Sequence, residues 1–472
     1  MTKRETAVAI LGGLSLFLTT LLSLGGASAR PGGVWLGLPR PAAPFLALAV
    51  VFFVARQGKD SLALGLATVP VLLPLLLGIL FPGVAAFTGP VLLALVLAVV
   101  AVVLARTGLR APAALFLPAI FFVYASAAAR VQMKVGPEGD EPHYLMVAQS
   151  LLRDRDLSLE RDYAEGRYLA FHDAPLEPHY RVRGKHGEIF SLHAVGLSLL
   201  ILPAYGLAGY PGASFFMALL AALLAREIRG ALVSAFGEGP VAEGGAWIVA
   251  LSPPLLHYAG LVFTEVPAAL LVAFCLRRGK GLAVGVALAF LPWLNVRYAA
   301  LSAVLVVYAL WRTEGGKARA RLVLPGIVSA LSSALYHYSL YGFFDPRRVY
   351  GRRPEFSLAT VPEGLPGLLL DQEFGLLVYA PVLALAIPGF LRLLRRDRGR
   401  AIAAAALVAV VVVTSSTWHM WRGGFNPPGR FLVPVVPALA LLAAGALEGG
   451  LRAGSALLVG WSLFAGMVGA LE

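Results

Sequence analysis

Charged residues are scarce in this sequence of 472 residues: they form 14% of it, whereas an average soluble domain holds about a quarter. Hydrophobic residues make up 58%, and apolar runs of roughly 17–25 residues, long enough to cross a bilayer, recur along the chain. Only helices and closed β-barrels cross lipid, and these runs lack the alternation of barrel strands. The composition excludes an ordinary soluble domain and predicts an all-α polytopic membrane protein.

Cysteine is almost absent as well. The single cysteine, Cys275, lies inside an apolar run. One cysteine excludes an intramolecular disulfide and a cysteine-based metal site. A glycine-rich nucleotide-binding fingerprint after a strand is also missing, which argues against direct use of a nucleotide sugar on the cytoplasmic side.

Acidic residues are fewer than basic ones, 26 against 39, which gives a net charge of +13. In a soluble protein this excess would suggest binding to nucleic acid. Here the basic residues collect in short loops between apolar runs, as expected for loops that face the cytoplasm. We therefore expect membrane lipids and no nucleic acid among the partners.

We predict fifteen or sixteen apolar helical segments, the first of them an uncleaved helix rather than a signal peptide. They lie near residues 7–28, 42–55, 61–81, 89–105, 112–129, 192–209, 212–225, 243–256, 262–276, 281–294, 298–311, 322–340, 374–391, 401–416, 431–447 and 453–470. Between the fifth and sixth segments, residues 130–190 hold eleven of the 26 acidic residues. The sequence therefore predicts one large polar loop in an otherwise apolar chain.

The basic loops also predict an orientation. Arginine clusters share one side of the membrane, and residues 130–190, 341–372 and 417–430 lie on the other, outer side. The two halves disagree by one crossing between Phe190 and Arg226. Either one segment there is short or re-entrant, or a span is miscounted.

The polar loop begins with two adjacent carboxylates, Asp140 and Glu141, followed by Pro142. The following residues predict a short amphipathic helix whose apolar side (Leu145, Ala148 and Leu152) lies on the membrane surface. Acidic residues at a membrane boundary are costly unless they serve a function. The alternative is that Asp140 only caps this helix and Glu141 only sits at its positive end.

Several motifs in order resemble the GT-C superfamily of membrane glycosyltransferases, in particular the protein mannosyltransferases and aminoarabinose transferases. The motifs are residues 139–157, 190–197, 292–298, 371–376 and 425–431. The resemblance covers roughly residues 112–447. It implies a GT-C-like bundle of about eleven helices with amphipathic external-loop helices over residues 112–472, and about four extra N-terminal helices of unknown role over residues 1–111.

The resemblance also implies a reaction. In this superfamily a sugar moves from a polyprenyl-phosphate carrier to an acceptor outside the membrane, and a carboxylate removes the acceptor proton. The motif gives that role to Asp140, with Glu141 orienting the acceptor or water, or sharing a cation. The implied location is the cytoplasmic (inner) membrane of a prokaryote, with the active site facing the periplasm or exterior.

A departing phosphate needs positive charge, and the outer-face candidates are Arg297, Arg422, Arg430 and Lys185. Further candidates for substrate binding are His143, Tyr144, His193, Glu265, Asn295, Asp371, Glu373 and Asn426. Helix capping is the alternative for Glu265, Asp371 and Glu373. Trp418, Trp421 and Phe425 are typical of an interfacial aromatic belt, and the alternative is that, together with Asn426 and Arg430, they stack on a sugar or bracket the lipid phosphate.

Histidines are frequent on the predicted outer face. They are His143, His172, His179, His186, His193 and His419. Together with Asp140 they leave open a divalent cation, although no pair has the i, i+4 spacing of a helical metal site. Two other functions stay open: a transporter or flippase for an anionic lipid-linked substrate, and a non-catalytic relative. Transporters favour paired repeats, and none is visible here.

Overall fold

The computed structural model describes residues 113–351, 356–449 and 453–471. The predicted helices between residues 7 and 105 lie outside the described residues, and so does the predicted N-terminal domain. Residues 127–466 belong to one compact unit, which contains every contact discussed below. Within the described ranges the only extended pairing is an isolated bridge between Phe356 and Trp418.

The described residues contain sixteen α-helices, numbered here in chain order. They are α1 (Ala113–Lys134), α2 (Glu141–Arg153), α3 (Glu160–Ala164), α4 (Gly196–Phe236), α5 (Pro240–Leu251), α6 (Leu255–Tyr258), α7 (Glu265–Arg278), α8 (Leu282–Leu294), α9 (Ala299–Trp311), α10 (Gly316–Tyr341), α11 (Val361–Leu370), α12 (Leu376–Tyr379), α13 (Ala386–Arg396), α14 (Arg398–Ser416), α15 (Val436–Ala446) and α16 (Ala453–Leu471). Short 3₁₀ turns join several of them, at Arg167–Ala170, Val296–Tyr298, Pro346–Tyr350, Leu358–Thr360, Pro381–Leu385, Arg430–Val435 and Leu447–Gly449.

Four described helices are long and apolar enough to cross a bilayer: α4, α10, α14 and the part of α1 from Phe116 to Lys134. Shorter apolar helices accompany them, including α5, α8, α15 and the Ser455–Gly466 part of α16. The chain is therefore an integral membrane protein, and the prediction of an all-α polytopic fold is confirmed.

Helix α4 corrects the prediction of two spans at residues 192–209 and 212–225. It bends at Ala208 and Gly209, and the Gly209 backbone (φ 60°, ψ −147°) lies in a region essentially reserved for glycine. The part before the bend, residues 196–207, is about 18 Å long, too short to cross ~30 Å of hydrocarbon. The part after it runs on to Phe236 and is long enough.

This bend also removes the disagreement in the predicted topology. Arg226 lies near the far end of α4, and the next residue, Glu227, accepts hydrogen bonds from Arg277 Nη1 at 2.8 and 2.9 Å. Arg226 and the basic loop after α7 therefore share one end of the bundle. The short segment before the bend accounts for the missing crossing.

Prolines break two other predicted spans. The segment predicted at 374–391 is instead α12, a 3₁₀ turn and α13, because the residue before Pro381 is driven out of helical geometry. The segment predicted at 243–256 ends at Leu251, before Pro253 and Pro254. Helix α11 lies inside the predicted outer loop 341–372 and was not predicted.

The prediction that α2 rests on the membrane surface is wrong. Leu145 and Ala148 are fully buried, and of the three apolar residues only Leu152 is exposed. Helix α2 packs against the first part of α4, where Ser198 Oγ donates to the Tyr144 carbonyl at 2.9 Å. Its other side is covered by the rest of the polar loop, through a core cluster of Met146, Val147, Leu159, Ile189 and Val195. Both sides of helix α2 therefore pack against protein, and its buried apolar residues do not face lipid.

Candidate functional site

The site forms where the start of α2 meets the loop that follows α14. Gly139 has a positive φ of 60°, and a β-carbon on it would lie 2.7 Å from the Phe425 carbonyl oxygen. This close approach requires glycine. It brings Asp140, the residue before α2, against the 417–430 segment. The Asp140 carboxylate makes no capping hydrogen bond to α2, so capping does not explain it.

Four charged side chains alternate in sign across the site, and we call them the charged chain: Asp140, Arg430, Glu265 and Arg297. Arg430 Nη2 donates to Asp140 Oδ2, and Arg430 Nε donates to Glu265 Oε1 at 3.1 Å. Arg297 Nη2 donates to the same Glu265 oxygen at 2.6 Å. Glu265 is fully buried and Arg430 is 8% exposed, whereas a quarter of the Asp140 side chain remains exposed. The charged chain is therefore fully buried at Glu265 and partly exposed to solvent at Asp140.

Aromatic rings hold both guanidinium groups in place. Arg430 lies 4.3 Å from the centre of the Phe263 ring. Arg297 lies 4.4 Å from the Phe431 ring and 5.2 Å from the Tyr298 ring. Cation–π contacts of this kind stabilise buried cations. The two arginines are thus preorganised on opposite sides of Glu265.

Three histidines border the open end of the charged chain. His193 Nε2 lies 3.8 Å from Asp140 Oδ1 and 3.1 Å from His179 Nδ1. The His143 ring lies 4.9 Å from the His179 ring, and the buried Tyr144 ring lies 4.8 Å from His193. Burial lowers the pKa of His193 to about 4 and that of His143 to about 3. These two rings are therefore neutral near pH 7.

The two adjacent carboxylates have opposite environments. Burial alone would raise the pKa of Asp140, but the Arg430 guanidinium outweighs it and holds that pKa well below its usual range. Glu141 is buried, and its oxygens accept the backbone N–H of Val262 at 2.6 Å and of Glu138 at 3.2 Å. Burial raises the pKa of Glu141 to about 7, although these two N–H groups partly oppose the shift. Asp140 is a partly exposed anion, and Glu141 fastens the start of α2 to the segment before α7.

A divalent cation fits one part of the site. Ligand atoms of Asp140, His179 and His193 lie within 4.8 Å of one another, and two imidazoles with one carboxylate are a common donor set for such ions. A cation there would add positive charge next to Asp140. Arg430 already pairs with the other oxygen of this carboxylate.

Asn295 and Asn426 lie next to the charged chain. Asn295 Oδ1 accepts the backbone N–H of Arg297 at 3.1 Å, so it orders the turn that carries this arginine. A β-carbon on Gly423 would lie 2.5 Å from Asn426 Oδ1 and 3.1 Å from Arg430 Cδ, so Asn426 and Arg430 flank the same glycine. Each asparagine therefore neighbours one of the two arginines.

The structure places the other four predicted residues in different settings. Lys185 is exposed on a turn whose backbone N–H donates to the Leu340 carbonyl at 2.9 Å. Arg422 Nη2 donates to Glu363 at 2.6 Å, with both side chains about half exposed or more. Asp371 Oδ1 accepts the backbone N–H groups of Glu373 and Phe374, both at 2.9 Å, and so orders a turn, whereas the residue before the next helix is Gly375. Glu373 is exposed.

A cavity of about 350 Å³ reaches His193 from the membrane-spanning region. Its walls come from α8, α9 and α10, with residues such as Leu288, Trp293, Ala330, Ser333 and Tyr336. Leu322 is the only buried residue of α10, so most of this apolar helix is open to its surroundings.

Several residues of the site were missed as substrate-binding candidates or were not singled out at all. His179 appeared only among the histidines, because no local spacing links it to Asp140. Phe263, Tyr298 and Phe431 read as ordinary apolar or interfacial residues. Phe431 follows Arg430, and Tyr298 follows Arg297, so an arginine next to an aromatic residue at a helix start was the available signal.

Comparisons with known proteins give little. No family model matches the chain, and no curated protein matches it. Among solved structures, the chain is similar to ArnT from Cupriavidus metallidurans in the apo state, with 18% identity and a TM-score of 0.47. The match covers 73% of this chain and 61% of the ArnT chain. The chain thus spans less than two thirds of the length of that protein.

Proposed function

We propose that the chain is a GT-C-type glycosyltransferase that moves a sugar from a polyprenyl-phosphate donor to an acceptor outside the membrane. The observation that carries this proposal is the charged chain. It pairs a partly exposed carboxylate, Asp140, directly with the buried Arg430. Glu265 joins Arg430 to a second, partly exposed arginine, Arg297, and aromatic rings back both guanidinium groups. A base next to an anion-binding pair is the arrangement that this transfer requires.

The arginines bind the donor phosphate in this proposal. Arg430 is shared between Asp140 and Glu265, whereas Glu265 is the one carboxylate paired with Arg297 among the described residues, so Arg297 keeps donors for a second anion. Charge-assisted hydrogen bonds from guanidinium to phosphate are short and strong. They stabilise the negative charge that develops on the phosphate as it leaves.

Asp140 accepts the proton. The acceptor oxygen or nitrogen attacks the anomeric carbon, and the bond from that carbon to the phosphate oxygen breaks with its electron pair on the phosphate. The acceptor proton passes to Asp140. While Arg430 is paired with Asp140 this carboxylate is a weak base, and a phosphate that draws Arg430 away makes it a stronger one. Donor binding thereby activates the base.

The cavity takes the prenyl chain in this proposal. Its mostly apolar walls suit an isoprenoid, and its lining runs from α10 to His193, whose Nε2 lies 3.8 Å from Asp140 Oδ1. A carrier in this cavity keeps its phosphate near the charged chain while its tail stays in the membrane. We place the protein in the cytoplasmic membrane of a prokaryote, with this site on the outer side.

Glu141 acts as a positioning residue rather than as the reacting group. It is 1% exposed, and both of its oxygens accept backbone N–H groups. Its role is to hold the start of α2, and therefore Asp140, against the arginines. No step of the proposal requires a metal ion.

The test is turnover by the purified full-length protein in proteoliposomes. Polyprenyl-phosphate hexoses and pentoses are supplied with a cell-envelope extract as the source of acceptor, and released polyprenyl phosphate is measured. We expect release by the wild type, none by Asp140→Asn, and full release by Asp173→Asn, a matched change at an exposed loop aspartate. Release that persists in Asp140→Asn contradicts the proposal. Movement of chemically unchanged lipid across sealed vesicles supports the transporter instead.

A further inference from the structure

The 417–430 loop, which links α14 to the 3₁₀ turn of Arg430, covers one side of the charged chain. Its Gly423 carbonyl accepts from Arg430 Nη1 at 2.7 Å, and its Pro427 carbonyl accepts from Tyr258 at 2.5 Å. Gly367 packs against the Trp421 ring so closely that a β-carbon would lie 2.3 Å from it. The loop is therefore fixed in place on both sides.

Two buried polar atoms of this loop lack hydrogen-bond partners among the described residues: Trp418 Nε1, a donor, and Asn426 Oδ1, an acceptor. The Asn426 amide nitrogen is already used, since it donates to the Pro427 carbonyl at 3.0 Å. A buried polar group without a partner costs about 1–3 kcal/mol, and folded proteins contain few of them. Ten such atoms occur among the described residues, and these two lie in the loop that covers the charged chain, where a bound ligand would complete them.

Both residues contact groups that pack against the arginines. The Trp418 ring lies 5.1 Å from the Phe431 ring, which itself lies under Arg297. Asn426 Oδ1 flanks Gly423 together with the Arg430 side chain. A ligand with an anionic group on the two arginines would therefore bring its adjoining part to Trp418 and Asn426.

We propose that Trp418 Nε1 and Asn426 Oδ1 bind hydroxyl groups of the sugar that is transferred, an inference that rests on the proposed function. The pair offers one donor and one acceptor, and a hydroxyl group satisfies either. An anion would satisfy only the donor, and a cation would satisfy only the acceptor. The flat indole face also suits the C–H face of a pyranose. The ligand of this subsite is therefore a neutral, hydroxyl-rich ring joined to a phosphate.

Trp418→Phe tests this inference, because it keeps an aromatic ring and removes the N–H. Two ligands are compared, farnesyl phosphate and its hexose ester, by equilibrium binding to the full-length protein. The wild type should bind the hexose ester more tightly than farnesyl phosphate. In Trp418→Phe the ratio of these two affinities should fall by about 3- to 10-fold, which is the contribution of one hydrogen bond. Affinity for farnesyl phosphate itself should not change.

Thermal unfolding without ligand supplies the second readout. Trp418→Phe removes an unpartnered donor, so the variant should be as stable as the wild type or more stable. Trp461→Phe is the matched control: its Nε1 donates to the Val378 carbonyl at 2.8 Å, so this change should lower the melting temperature and leave hexose binding intact.

The outcomes separate the two proposals. If Trp418→Phe unfolds earlier than the wild type and keeps the full gain from the hexose, the N–H has a structural partner and the subsite is refuted. Equal loss of affinity for both ligands also refutes it. Failure of the wild type to bind either ligand refutes the proposed function, and the sugar subsite falls with it.

Discussion

Asp140 and Glu141 are neighbours in the chain, but their surroundings give them different roles. Asp140 is partly exposed and paired with Arg430, whereas Glu141 is buried and accepts two backbone N–H groups. The first arrangement favours the ionised carboxylate and the second, through burial, favours the neutral acid. The pair therefore combines a reactive group with the residue that positions it.

Glu141→Gln should change how stability depends on pH. The pKa of Glu141 is about 7 in the fold against an ordinary value of 4.5, so its contribution is fully present below 4.5 and is lost as the pH rises through 7. At pH 5 the variant should lose about 1–3 kcal/mol, because its amide cannot accept the Glu138 N–H. At pH 8 the difference should shrink. Thermal unfolding at the two pH values measures it, and a constant difference contradicts this assignment.

Glu265→Gln should be strongly destabilising. The buried carboxylate accepts from both Arg297 and Arg430, and its loss leaves the buried Arg430 with Asp140 alone and Arg297 without a carboxylate partner among the described residues. Breaking a buried pair costs about 3–5 kcal/mol. Glu363→Gln, which breaks the exposed pair with Arg422, should cost less than about 1 kcal/mol. Chemical unfolding of both variants compares them, and equal losses would show that Glu265 does not hold the site together.

Sequence motifs located several of these residues but not their contacts. Asp140, Arg297 and Arg430 each stand in a recognisable motif, yet Asp140 and Arg430 are 290 residues apart in the chain. Only the fold shows that they touch. Glu265 had an equally good explanation as a helix-cap residue, since burial and partners are not visible in a sequence. The structure shows that Glu265 pairs with two arginines, and its role in substrate binding stays a prediction.

At the scale of helices, hydropathy predicted where helices lie better than where they break. The predicted segments 281–294 and 298–311 agree with α8 and α9 to within a residue. The segment 374–391 does not, because Pro381 interrupts it. Apolar composition sets whether a segment can enter lipid, whereas single proline and glycine residues set its continuity.

The bend in α4 gives a prediction at this scale. Gly209→Ala puts a β-carbon on a backbone with φ 60° and ψ −147°, which should cost about 1–3 kcal/mol and reduce activity. Gly206→Ala, one turn earlier in regular helix, places its β-carbon 3.5 Å from Leu152, an ordinary contact. That change should be neutral or stabilise by up to about 1 kcal/mol. Melting temperatures in detergent compare the two, and equal shifts would show that the bend is not constrained.

At the scale of the whole molecule, the structure separates two kinds of charge. Basic residues with local partners, such as Arg277 with Glu227, lie at one end of the bundle, and the charged chain lies beyond the other ends of the same helices. The positive-inside rule then puts the charged chain outside. The sequence predicted this separation, but the count of crossings needed the bend in α4.

Labelling tests this orientation. In a Cys275→Ala background, a membrane-impermeant maleimide should label Glu177→Cys, an exposed position of the polar loop, in intact spheroplasts. It should label Lys317→Cys, at the exposed start of α10, only after the membrane is permeabilised. The reverse pattern would place the charged chain inside the cell and contradict an external acceptor.

The most direct test of the account measures binding and turnover on the same preparation of Asp140→Asn. Asparagine no longer competes for Arg430, so the variant should bind a farnesyl-phosphate hexose as tightly as the wild type or more tightly. Without a base, its turnover should fall about 100-fold or more. A variant whose affinity falls in step with its turnover, or whose turnover persists, would contradict the claim that Asp140 accepts the proton beside an arginine-bound phosphate.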